Sequence, residues 1–221
     1  MGNSRPISRL DSSKALSLGQ TLAREFSSAT LLVFDELEST LDESRIRTAA
    51  SIEPCWIVAL TQTRGRGRRG REWQAPAGNL SLTGHAFHNG PIAALPQLSF
   101  VAALAAYDCA ASLCANASDA AKLSLKWPND LWLQDDRKLG GILVETASVA
   151  PTPPGDVAPR YVVIGIGINI TPRTLGDGGG LSNRPAALQE LVPGIDAPAA
   201  LARVAAALVA TVQVFERSGF A

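Results

Sequence analysis

Residues 123–149, LSLKWPNDLWLQDDRKLGGILVETASV, and residues 161–170, YVVIGIGINI, decide the fold. Within them, runs of β-branched, aromatic and aliphatic residues at 123–126, 131–133, 141–149 and 161–170 follow one another with no helical period between them. Turn-forming Pro, Asn, Asp and Gly separate the runs, as in the loop PTPPGDVAPR at 151–160. Strands linked so closely by loops favour antiparallel pairing. Working outward, Leu80, Leu82, Gly84 and Ala86 alternate with Ser81, Thr83 and His85, which predicts a half-buried strand. Further strands are expected at 31–34 and 56–61. Ser39 or Thr40 can N-cap a helix running to about Ala50, with Asp42 and Glu43 in its first turn. An alanine-rich helix is expected at 95–113, a closing amphipathic helix at 199–215, and a short helix at 14–26. Gly176 to Gly180 reads as a turn, and RGRGRRGREWQAPAG at 64–78, which has neither period, as a loop. The sum is an α+β chain: a mixed, largely antiparallel sheet with helices packed on one face.

The 221 residues suffice for one domain and a small appendage, and 46% hydrophobic against 18% charged residues sets the chain apart from disordered sequences. Twenty basic residues balance twenty acidic ones, so any attraction for phosphate must be local. Three cysteines (Cys55, Cys109, Cys114) form neither an even disulfide framework nor a CxxC pair, and His85 and His88 have no nearby thiol, which argues against structural zinc. No secretory or lipidation signal is legible in MGNSRPISRLDSS, and the apolar stretch 92–115 is broken by Pro96, Gln97, Ser99 and Asp108. The expectation is a reduced, cytoplasmic protein that meets neither DNA nor membrane.

Five arginines (Arg64, Arg66, Arg68, Arg69, Arg71) interleaved with Gly65, Gly67 and Gly70 make a local cradle for anions, since the guanidinium fork matches carboxylate and phosphate oxygens. The bland alternative is a solvated basic loop, and an RNA-binding module built on the same segment is a remote one. The glycines also spell G-x-G-x-x-G, but Pro76 and Gly78 forbid the helix that a dinucleotide fingerprint must open. Lys126-Trp127-Pro128-Asn129-Asp130 could hold phosphate through the lysine and Mg²⁺ through the carboxylate, or be a plain turn. Lys138 stands beside Gly140 and Gly141. Gly165 and Gly167, two apart on one strand face, leave a groove where a flat ring could lie or a helix could pack, with Asn169 beside it. No nucleophile has a base at recognisable spacing, so a hydrolase triad is not supported.

GRGRRGREW (65–73), KWPNDLW (126–132), KLGGILVE (138–145) and GIGINI (165–170), in this order, resemble the catalytic domain of biotin protein ligases over about residues 31–215. The resemblance implies the class II aminoacyl-tRNA synthetase and biotin synthetase-like fold, with residues 1–30 an N-terminal extension or short helix and 31–221 the catalytic domain. It implies condensation of biotin with ATP to biotinyl-5′-adenylate, then transfer to a lysine of the biotin carboxyl carrier protein of acetyl-CoA carboxylase or a related carboxylase. By the same resemblance Ser39, Thr40, Gln62, Arg66, Gly67, Arg68, Lys138 and Gly141 bind biotin. Arg66, Arg68, Arg69, Trp73, Lys126, Asn129, Lys138 and Asn169 serve ATP or the adenylate, Lys138 and Arg68 are catalytic, and Asp130 holds Mg²⁺. Three departures stand out: Leu41 replaces a commonly polar residue, no winged-helix region precedes the catalytic part, and no small β-barrel follows it. A monofunctional enzyme is therefore expected, with a homodimer left open. A lipoate or octanoate transferase of the same fold is the alternative, against which the arginine segment and KWPND speak.

Overall fold

The computed structural model describes residues 29–50, 53–88, 92–148, 160–172 and 185–220, so the expected helix at 14–26 and turn at 176–180 lie outside the described residues. Eight strands share one sheet: β1 (Thr30–Leu37), β2 (Cys55–Arg66), β3 (Glu72–Ala75), β4 (Leu80–His88), β5 (Leu123–Lys126), β6 (Asp130–Leu133), β7 (Arg137–Ser148) and β8 (Arg160–Ile168). Their order is β1-β2-β4-β8-β7-β6-β5, with β3 pairing β2 off this path. The loop-linked strands β5, β6, β7 and β8 pair antiparallel, as their short connections favour, and β4 is antiparallel to both β2 and β8. β1 and β2 are parallel instead, because the helix α1 (Thr40–Ala50) forms the crossover between them.

Strand periodicity divides the chemistry between the two sheet faces. Leu80 and Leu82 of β4 and Ile164, Ile166 and Ile168 of β8 point into one core with the long helices α2 (Leu98–Leu113) and α4 (Ala197–Ser218), between which the chain forms the short helix α3 (Ala117–Ala120). Ala102, Ala105 and Ala106 of α2 and Ala200 and Ala205 of α4 are buried in that same core, small residues that let helices and sheet approach closely. Both helices are long and apolar enough to cross a membrane by composition, and here the buried parts of their apolar faces pack in this core. The residues between, Ser81, Thr83 and His85 of β4 and Gly165 and Gly167 of β8, lie on the opposite face, where α1 sits: Thr83 and His85 bond to α1 residues and Leu41 of α1 lies against Gly165. The sheet is thus mixed and largely antiparallel as expected, but its helices are on both faces. The α1 face is the more polar because a short helix covers only part of it.

Ser39 caps α1: its carbonyl accepts from Glu43 N–H at 3.1 Å and its hydroxyl from Asp42 N–H at 3.4 Å. Asp196 caps α4, and Pro198 falls in the first turn, where a missing N–H costs nothing, so the helix starts at Ala197 rather than at 199. Pro96 confines the start of the expected 95–113 helix to 3₁₀ geometry over Ile92–Gln97, with α2 proper beginning at Leu98. The segment 64–78 is not a loop throughout: β2 extends to Arg66 and β3 returns antiparallel, with Gly65 opposite Trp73. Backbone pairing builds this hairpin, so its side chains carry no period.

His85 pins α1 to the sheet. Its Nδ1 lies 2.8 Å from the Ser44 hydroxyl, both groups being buried, and the ring meets Tyr161 edge-on at 5.8 Å. Burial holds its pKa below the ordinary 6.5, an effect reinforced by the Arg47 charge and opposed by a hydrogen bond to the Glu53 backbone. As pH falls the unfolded chain takes up this proton first, so stability is full above pH 6.5 and is lost below it. Urea unfolding at pH 7.5 and 5.5 is expected to show a loss of at most about 1 kcal/mol from this group, reduced in His85→Gln.

Candidate active site

On the α1 face a cleft of about 340 Å³ opens between the β2–β3 hairpin, α1, the middle of β8 and the start of β7. Its floor is set by what β8 lacks. A Cβ at Gly167 would fall 2.6 Å from the Trp73 indole, and one at Gly165 would fall 3.0 Å from Leu41. The groove that the glycine spacing predicts is therefore real, and the chain's own indole and a helix leucine line it.

At one end the polar groups are neutral. Gln62 Oε1 accepts hydrogen bonds from the Thr40 N–H at 2.7 Å and the Thr40 hydroxyl at 3.0 Å, and Thr83 donates to Thr40 Oγ1 at 2.8 Å. Each acceptor is thereby oriented, which leaves the Gln62 amide N–H groups for something in the cleft. Ser81 Oγ, also lining the cleft, is buried and has no hydrogen-bond partner. The sequence reading passed over Ser81 and Thr83, although polar residues alternating with Leu80 and Leu82 were the signal of a polar sheet face.

The other end is cationic. Lys138 Nζ lies 2.8 Å from Asp130 Oδ1 and 5.4 Å from the Trp73 ring centre, above Gly141. Arg68 Nη1 donates to Asn129 Oδ1 at 3.0 Å, and Asn129 Nδ2 donates to the Ile142 carbonyl at 2.7 Å, so the Asn129 turn is fixed to β7 and faces the hairpin. Asn169 Nδ2 donates to the Lys138 carbonyl at 3.2 Å, joining the strand ends. Arg66 is held between Asp42 of α1 and Glu145 of β7. The acids Asp42 and Glu145 have no local signal in the sequence as partners of Arg66, since only the packing of α1 on the sheet and the strand order bring them to it.

Thr40, Gln62, Arg66, Gly67, Arg68, Trp73, Asn129, Asp130, Lys138, Gly141 and Asn169 thus line one cleft. Ser39 is buried at the helix cap just behind it. Two expected residues fall elsewhere. Arg69 is exposed at the hairpin turn with φ 58°, and Lys126 lies 3.6 Å above the Trp132 ring, beside a second, apolar cavity walled by Phe100, Trp127 and Phe220. Hairpin curvature turns the first outward. Strand alternation in β5 and the Trp132 ring hold the second away.

Asp130 Oδ1 lies 2.8 Å from Lys138 Nζ, and the described residues hold no group of three or more His, Cys, Asp or Glu side chains that could hold a metal ion by themselves. Nor is there an activated thiol: burial pushes Cys55 up to about 11 and Cys109 up to about 12.

A mixed sheet with long helices on one face and a cleft of this kind on the other is the class II synthetase-like architecture. A solved biotin protein ligase from Aquifex aeolicus, in complex with biotin and ATP, superposes with a TM-score of 0.65 at 25% identity, covering 86% of this chain and 72% of that one. The chain belongs to the biotin/lipoate A/B protein ligase family, whose model matches residues 32–169. It is 44% identical over 115 residues to a biotin–[acetyl-CoA-carboxylase] ligase of Paracoccus denitrificans, covering 52% of this chain and 44% of the relative. It is 37% identical over 195 residues to the bifunctional ligase/repressor BirA of Escherichia coli, covering 87% and 56% respectively. The chain spans about half the length of these curated relatives.

Gly167→Ala is expected to displace the indole rather than unfold the sheet, because Trp73 sits on β3, a strand paired with β2 alone. The midpoint of urea unfolding should stay near wild type while the Trp73 contribution to fluorescence, defined by difference from Trp73→Phe, shifts to longer wavelength.

Proposed function

We propose that this chain is an ATP-dependent biotin protein ligase acting in the cytoplasm. It joins biotin to ATP as biotinyl-5′-adenylate and then transfers the biotinyl group to a lysine of a carboxylase's biotin carrier domain. The observation that carries the reading is the polarity of the one cleft. A neutral hydrogen-bonding end built on Thr40, Gln62 and Ser81 suits a cyclic urea, and a cationic end built on Lys138 and Arg68 suits a carboxylate and phosphates.

The chemistry such a cleft performs is positioning and charge stabilisation. The biotin carboxylate oxygen forms a bond to the α-phosphorus as the bond to the bridging oxygen breaks and pyrophosphate leaves. The acceptor lysine's amine then attacks the carbonyl carbon of the anhydride, and AMP departs with the bonding electrons. Neither step needs a nucleophile from the protein. Lys138, at the cationic end, faces the charge that builds as carboxylate and phosphate approach. Arg68 addresses the phosphates, giving up one hydrogen bond to neutral Asn129 to do so. Trp73 and Asn169 are suited to adenine, by stacking and by an edge hydrogen bond. Until the phosphates arrive, Asn129 holds Arg68 in place. The magnesium that accompanies ATP would arrive on its phosphates, and Asp130, which lines the cleft, would offer it a carboxylate oxygen.

Biotin-dependent exchange of pyrophosphate into ATP tests the reading: exchange with lipoate and not biotin would reassign the chain to lipoate chemistry, and no exchange with either would remove the ligase activity. Lys138→Ala is expected to lower single-turnover adenylate formation on the order of 10²–10³-fold, the usual loss for one oriented charge donor, without changing the unfolding midpoint by much. Arg68→Ala should raise the ATP concentration for half-maximal exchange about 10-fold or more, as loss of a charged hydrogen bond does.

A further inference from the structure

In the sequence the five arginines of 64–71 are equivalent, but the structure separates them by partner. Arg66 gives Nε and Nη2 to Asp42, at 3.2 and 2.8 Å, and Nη1 and Nη2 to Glu145, at 3.2 and 3.3 Å. Arg45 closes the set, 3.0 Å from Glu145 and 3.8 Å from Asp42. Two cations and two anions from α1, β2 and β7 thus form one ring of ion pairs in which charge cancels. Arg66 and Glu145 are its shielded members, with side chains 29% and 18% exposed. Arg68, four side-chain bonds of that kind poorer, has only the neutral oxygen of Asn129.

We propose that Arg66 is a positioning residue rather than an anion ligand, and that Asp42 and Glu145 hold it in the resting and loaded cleft alike. This rests on the ligase reading and refines it. A phosphate or carboxylate that took Arg66 would have to break hydrogen bonds to two carboxylates and leave shielded Glu145 with Arg45 alone, so it gains little by the exchange. Arg66 is the last residue of β2; the turn beyond it carries Gly67 and Arg68 and leads into β3, which carries Trp73. Holding its guanidinium to both α1 and β7 therefore fixes the height of the hairpin over the cleft. The work of anion binding falls on Arg68 and Lys138. Lysine cannot replace Arg66, because a single ammonium lacks the planar fork that reaches two carboxylates at once.

The two roles predict opposite signs for one substitution. Glu145→Gln keeps the side-chain shape and removes its charge. If Arg66 were an anion ligand restrained by Glu145, the variant would release it and bind inorganic pyrophosphate more tightly. If Arg66 positions the hairpin, the variant loosens it, and pyrophosphate binds several-fold more weakly. Isothermal titration with pyrophosphate on wild type, Glu145→Gln, Arg66→Ala, Arg66→Lys and the Glu145→Gln/Arg66→Ala double variant decides between them. The expected result is that each single variant weakens pyrophosphate several-fold and that the double variant is little worse than the weaker single, as for two members of one unit. Trypsin cleavage of ligand-free protein after Arg68, Arg69 or Arg71 should also be faster in Glu145→Gln. Unchanged or tighter pyrophosphate binding in Glu145→Gln, or additive losses in the double variant, would overturn the proposal. These readouts need no turnover, so a chain that failed the biotin-dependent exchange would lose the ligase reading while the position of Arg66 was still decided.

Discussion

A strand shows alternate residues to opposite sides, and two neighbouring strands of this sheet use that constraint to the full. β8 sets Ile164, Ile166 and Ile168 on one side and only hydrogens at Gly165 and Gly167 on the other; β4 sets Leu80 and Leu82 against Ser81 and Thr83. The aliphatic side recruits α2 and α4 and supplies most of the core, at about 1.5–3 kcal/mol for each large side chain fully buried. The other side is thereby left with space and with hydroxyl groups. Cleft and core are consequences of one alternation, and a one-residue slip of register would exchange them.

Charge is then distributed by partner rather than by count. The sequence has no net charge, and of the five arginines in its densest basic segment two are paired with acids once folded. Arg66 is neutralised by two acids, Arg64 lies 3.7 Å from Glu38, and Lys138 is on Asp130, so what faces the cleft as unopposed cation is Arg68 with Arg71 beside it. A pair such as Lys138–Asp130 also holds its lysine extended without a ligand, which spares ordering entropy when a carboxylate arrives.

Much of this was legible in the sequence because it rests on local rules. Alternation located β4, caps and Pro placed α1 and α4, and closely spaced strands implied antiparallel pairing. The groove beside Gly165 and Gly167 followed from spacing alone. What escaped depends on partners distant in sequence. The 64–78 segment hides a hairpin because backbone pairing leaves no side-chain period, and α1 lies on the face opposite α2 because the parallel β1–β2 crossover puts it there, which no local signal reports. Glu145 looks like any acid on a strand until the fold sets it beside Arg66, 79 residues away. Lys126 sits in a motif that invites a phosphate role, but its side chain rests on Trp132.

β3 stands off the main strand path, bonded to β2 alone. Residues can be added to or removed from the turn between β2 and β3 without shifting the pairing of any other strand, since no other register passes through it. The turn that carries Arg68 is thus also a part whose length is little tied to the strand pairing of the rest. A lineage could rebuild this turn repeatedly, changing what the cleft accepts, while the aliphatic face and its two helices stayed as they are.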